Sequence, residues 1–145
     1  MKKNEIYIKS GTEYKDMTKE LLEQCDLAEQ ISSPDLQIGI KPNLVSPTEA
    51  SWGATTHPEI VAGIIEYLQE KGFAKIAILE GSWVGDKTTE AYELCGYREL
   101  SEKYQVPFWD MQKDTGVDRD CGGMDLKICS SVEKIDFLIN VPVLK

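Results

Sequence analysis

The sequence predicts an α/β fold, a three-layer α/β/α arrangement with a mainly parallel sheet of about five strands and a partly irregular excursion near residues 110–130. Three observations predict it. Short apolar runs alternate with stretches of helical periodicity, the pattern of successive βαβ units. Two runs, KIAILE at 75–80 and FLINV at 137–141, are continuously apolar at their centres, as strands buried on both faces are. The chain has 145 residues, 41% hydrophobic and 28% charged, which suits a single folded domain, 1–145, with a core of ordinary size.

The elements follow in order. Residues 5–9 alternate, with Ile6 and Ile8 on one side, and predict a half-buried strand. Thr12 is placed to cap a helix over 13–31, where Tyr14, Met17, Leu21, Leu22, Cys25, Ala28 and Ile31 recur at helical spacing. Ser32-Ser33-Pro34 stops it, and 36–40 forms a strand ended by Lys41-Pro42-Asn43. Pro42 has no N–H to give the ladder, so the chain must leave the sheet there. A long polar loop over 43–55 precedes a helix whose start carries Thr56 and Glu59 at capping-box spacing and Pro58 in the first turn. Gly72 ends that helix. Strand 75–80, a polar turn at 81–86, helices over 88–96 and 97–104, and a brief strand at 106–109 follow. Residues 110–124 read as a surface loop rich in Asp and Gly, 125–129 as a strand in a hairpin with what precedes it, 130–134 as a turn, and 137–141 as the last strand, ending at Pro142.

Charge and cysteine content narrow the function classes. Sixteen basic against 25 acidic residues leave a formal net charge of −9, which argues against nucleic acid and anionic membranes as partners. No run is long and apolar enough to span a bilayer, and the charged N-terminus lacks an apolar signal stretch, so a cytoplasmic location is expected. Cys25, Cys95, Cys121 and Cys129 match no zinc-finger, CxxC or ferredoxin spacing. Structural cysteines and no metal site are expected.

Ligands on parallel sheets sit beyond the carboxyl ends of the strands. That rule selects three loops, at 41–55, 80–88 and 140–145. The first and last begin alike, with a proline and an asparagine close together: Lys41-Pro42-Asn43 and Asn140-Val141-Pro142. Asn43 and Asn140 offer donors and acceptors, and Lys41 and Lys145 are cations able to bind phosphate or carboxylate. Thr55, Thr56 and His57 stand at a helix start, where free N–H groups attract anions. Glu80-Gly81-Ser82 ends a strand with a carboxylate and a hydroxyl but matches no nucleotide fingerprint. Glu80 and His57 are the acid/base candidates; Lys41, Asn43, Thr55, Thr56, Ser82, Asn140 and Lys145 are the ligand-binding candidates.

Together IKPNLVSP (40–47), GATTHPEIV (53–61), ILEGS (78–82), GYRELSEKYQVPFWD (96–110) and DFLINVPVLK (136–145) resemble the domain of unknown function 362 family, over most of the chain from about Leu36. The resemblance implies an α/β domain, of which this chain looks like the N-terminal portion. Many members are described as iron–sulfur proteins because they carry a ferredoxin-like module. No such cysteine run exists in this sequence, so no iron–sulfur cluster is expected on the chain itself and the cofactor is unknown. Three readings follow: a domain with a site for a small anionic ligand at the strand ends; a redox-associated domain working with a ferredoxin-like partner; or a non-enzymatic interaction domain that forms a homo-oligomer.

Overall fold

The structure is a computed structural model that describes residues 5–144. Its elements are α1 (Tyr14–Gln24), α2 (Leu27–Gln30), β1 (Ile38–Pro42), α3 (Pro58–Glu70), β2 (Ile76–Glu80), α4 (Thr88–Leu94), α5 (Tyr97–Tyr104), β3 (Phe108–Asp110), β4 (Gly116–Asp120), β5 (Asp125–Cys129) and β6 (Phe137–Val141). Single 3-10 turns lie at Ala50–Trp52, Met111–Lys113 and Val132–Lys134. Four strands form one all-parallel sheet in the order β3-β2-β1-β6, and β4 and β5 form a separate antiparallel hairpin.

That order fixes where the connections run. β1 to β2 and β2 to β3 step the same way across the sheet, so right-handed crossovers place α3 and the α4–α5 pair on one face. β3 to β6 steps back past β2 and β1, so the same handedness sends residues 111–136 over the opposite face. The packing agrees. Ile38, Ile40, Ile76 and Ile78 join Val61, Ile64, Ile65 and Leu68 of α3, Tyr97 and Leu100 of α5, and Ile31 in one buried core. On the other side Gly39 faces Leu79 and Ile135, so close that a Cβ there would lie 2.9 Å from a methyl of each. The layers are helix, sheet, and a thinner cover of 3-10 turns that leaves Leu138 of β6 48% exposed.

Several expectations need correction. Residues 5–9 form no strand, and the parallel sheet has four strands. The alternation is present but inverted: Ile6 and Ile8 are 87% and 88% exposed, while Tyr7 packs toward the core. The helix expected over 13–31 is broken at Asp26, whose φ of 51° turns the chain so that Leu27 and Ile31 reach the core. Gln30 caps the break by donating from Nε2 to the Cys25 carbonyl at 2.9 Å. Thr12 does not cap α1, whose N-terminal flank is Glu13. The 110–130 excursion is more regular than a loop. Asp114 closes the base of its hairpin by accepting from the Ser130 hydroxyl and, at 2.6 Å, from the Ser131 N–H.

α1 lies against α3 where Gly63 allows close approach. A Cβ at Gly63 would stand 2.5 Å from the Lys15 carbonyl oxygen and 2.9 Å from Thr18 Cβ. Alanine in an open mid-helix position gains about 1 kcal/mol over glycine. Here the clash reverses the sign, and Gly63→Ala is expected to lower stability in urea by about 1–3 kcal/mol. Asp114 provides a pH test. The hydrogen bonds from Ser130 and Ser131 hold its carboxyl well below the usual carboxylate range. Its contribution is therefore present above the unfolded value of about 3.9 and is lost as the pH falls below it. Melting temperatures recorded down the acid limb are expected to fall less steeply in Asp114→Asn than in the wild type.

Candidate functional site

The order of connection across the sheet reverses at β1, which has β2 on one side and β6 on the other, and parallel sheets bind ligands at such reversals. The strand ends there carry Lys41, Pro42 and Asn43 at β1 and Asn140 and Val141 at β6. The register pairs Lys41 with Asn140 and Pro42 with Val141. The register brings the Asn43 N–H opposite the Val141 carbonyl, and Thr56 stands between them. Its Oγ1 donates to the Val141 carbonyl at 2.8 Å and accepts from the Asn43 N–H at 2.9 Å.

Most of the hydroxyl and amide residues singled out by the sequence are engaged in holding these loops. Thr56 is 3% exposed, and its role as a helix cap is taken over by His57, with Pro58 as the first helical residue. The capping box expected from Thr56 and Glu59 is therefore replaced by a link to β6. The Thr55 hydroxyl, 1% exposed, donates to the Thr48 carbonyl at 3.0 Å. Asn43 donates from Nδ2 to the Ala54 carbonyl at 2.6 Å. Ser82 donates from Oγ to the Leu44 carbonyl at 2.6 Å, and Trp83 donates its N–H to the Val45 carbonyl at 3.0 Å. The loops after β1 and β2 are thus laced together side by side. The buried Tyr97 hydroxyl completes the set by donating to the Thr56 carbonyl at 3.0 Å, and burial pushes its own ionisation far up.

Three of the candidates, Lys41, Glu80 and Asn140, take no part in that lacing. Lys41 Nζ lies 2.6 Å from Glu80 Oε2, and the two side chains are 33% and 6% exposed. Glu80 Oε1 also accepts the Gly81 N–H at 2.9 Å. Asn140, exposed and in register with Lys41, emerges on the same face of the sheet. The ammonium and the carboxylate thus meet between the ends of β1 and β2, and the carboxamide stands at the end of β6 on the other flank of β1. His57 is not part of that group: its ring lies 4.5 Å from that of Tyr14, and its Nδ1 is 3.9 Å from Glu59. Lys145 lies outside the described residues. One functional side chain that the sequence did not disclose is Gln112, whose carboxamide binds the 82–88 segment; a glutamine in an apparent surface loop gives no local signal of such a role.

The cysteines do not fit an iron–sulfur cluster. Cys25 and Cys95 are buried in the core, and burial raises the Cys95 thiol, which points at the Thr48 carbonyl. Cys129 pairs with Gly116 at the open end of the hairpin, while Cys121 follows β4 at its turn, roughly 17 Å away by strand rise. Among the described residues no three His, Cys, Asp or Glu side chains are grouped to hold a metal ion, and no helix is long and apolar enough to cross a membrane.

Comparison with known proteins gives one result. Residues 38–145 match the model of the family described as Domain of unknown function (DUF362), and the chain belongs to that family. No curated protein and no solved structure matches it.

The bridging role of Thr56 is testable by substitution. Thr56→Val keeps the shape but removes both hydrogen bonds, leaving the Asn43 N–H and the Val141 carbonyl without their partner. The expected loss is about 1–3 kcal/mol in urea denaturation, and Thr56→Ser is expected to retain most of the stability.

Proposed function

We propose that this DUF362 domain binds a small anionic ligand, phosphate- or carboxylate-bearing, beyond the carboxyl ends of β1 and β6. The observation that carries the reading is the register pairing of Lys41 with Asn140 at the reversal of the sheet, with the Lys41 ammonium part-exposed and tied to Glu80 on only one side. An ammonium has three donors. One is directed at Glu80, and the Pro42 carbonyl at 3.5 Å is a weak second acceptor, which leaves capacity for a ligand oxygen. Asn140, in register with Lys41 on the neighbouring strand, adds a neutral donor at the same edge of the sheet. Glu80 is the candidate acid or base of the site, since it faces the cation from a nearly buried position.

The alternative anion position, the start of α3, is less well supplied. Glu59 already occupies the first turn of that helix and meets its dipole with a carboxylate of the chain itself. Strand ends and not the helix end are therefore the place where the chain has positive charge to offer, within a sequence of net charge −9.

The test is ligand-induced stabilisation. Inorganic phosphate and a small dicarboxylate, each compared with chloride at matched ionic strength, are expected to raise the melting temperature of the wild type. Lys41→Ala is expected to abolish the rise. Glu80→Gln, which removes the competing carboxylate but keeps an acceptor for Lys41, is expected to enlarge it. A rise in Lys41→Ala equal to that of the wild type would take the lysine out of the site and sink the reading.

A further inference from the structure

Gln112 belongs to none of the motifs that the sequence singles out. It lies in the 3-10 turn after β3 and is an exposed residue, yet its carboxamide is fully committed. Nε2 donates to the carbonyls of Asp86 at 2.9 Å and Ser82 at 3.0 Å, with Trp83 a longer third at 3.4 Å, and Oε1 accepts the Thr88 N–H at 3.0 Å. Asp110 Oδ1 fixes the residue from behind by accepting the Gln112 N–H at 3.0 Å. This pattern needs two donors and one acceptor on a single planar group of this length. Glutamate lacks the donors, lysine lacks the acceptor, and asparagine is one methylene shorter.

The segment so held is the one that holds the loop after β1. Ser82 pins the Leu44 carbonyl, Trp83 pins the Val45 carbonyl, and Ser82 N–H is itself held by the Thr88 hydroxyl at 3.0 Å. The chain directly after Asn43 is thereby fixed from β3, two strands away. Resting on the anion-site reading above, we propose that Gln112 is a positioning residue of the strand-end site, ordering the 82–88 segment before ligand arrives. Without it, that segment must be ordered at the moment of binding, which weakens affinity without removing any group that touches the ligand.

Two variants and two measurements test this in the full chain. In Gln112→Ala, hydrogen exchange of the Thr88 amide is expected to accelerate by about tenfold or more while amides of β1 and β2 stay protected, the signature of local opening. The dissociation constant for inorganic phosphate is expected to weaken by about 3- to 10-fold. Gln112→Glu keeps the acceptor for Thr88 but presents an anion to the carbonyls, so at neutral pH it is expected to match Gln112→Ala. As the pH falls through the usual carboxyl range, near 4, the protonated acid regains a donor and the Thr88 protection factor is expected to recover. Gln112→Ala shows no such recovery, nor does a general loss of stability. Unchanged Thr88 protection in Gln112→Ala overturns the proposal, as does lost protection with an unchanged phosphate constant. A wild type that does not bind phosphate removes the anion site and the positioning role with it; the exchange data distinguish that outcome from failure of the Gln112 contacts.

Discussion

The Thr56 hydroxyl carries the constraint on which the rest of the architecture depends. It reaches a carbonyl 85 residues away, donating to Val141 at the end of β6 while accepting from Asn43 at the end of β1. Without that hydroxyl the Asn43 N–H and the Val141 carbonyl would lose their partner at a half-buried edge, at a cost of about 1–3 kcal/mol. The threonine satisfies both groups with one atom. Because Thr56 lies two residues before Pro58, the first position of α3, the same side chain fixes the chain just ahead of that helix. The approach to the helix, the strand end and the sheet edge are therefore fixed at one atom.

From that point a continuous set of hydrogen bonds crosses the carboxyl edge of the sheet. It runs from Val141 through Thr56 to Asn43, then from Leu44 and Val45 to Ser82 and Trp83, and finally to Gln112 after β3. Each link joins loops from neighbouring strands in the order β6, β1, β2, β3. Such loops would otherwise be the most mobile part of an α/β domain. Lacing them makes the strand ends a rigid platform, which is what a small-molecule site requires if its polar groups are to be held in place before ligand arrives.

The platform was partly legible in the sequence. Strand-end prolines at 42 and 142, the apolar runs and the glycine stop at Gly72 are local signals, and each led to the right element. The three loops selected by the strand-end rule do meet along one edge. What local pattern could not reveal was the assignment of tasks within them. Thr56 and Glu59 have the spacing of a capping box, yet a carbonyl 85 residues away competes for the Thr56 hydroxyl and wins. Ile6 and Ile8 alternate as a strand would, but the tertiary core takes Tyr7 from between them. Gln112 has no local signature, because its partners lie 24 to 30 residues upstream.

Separating the scaffold residues from the available ones sharpens the chemistry. Thr55, Thr56, Ser82 and the Asn43 amide group are committed to carbonyls of the chain, so a ligand could use them only by breaking buried bonds. Lys41 is different. Its partner Glu80 is 6% exposed, and a carboxylate at that depth needs a cation to offset its lost hydration. Lys41 therefore has a structural task as well as an outward-facing charge. On the proposed anion-site reading, an incoming anion shares the ammonium with Glu80, so the pair that stabilises the fold at this edge also sets the competition a ligand must meet.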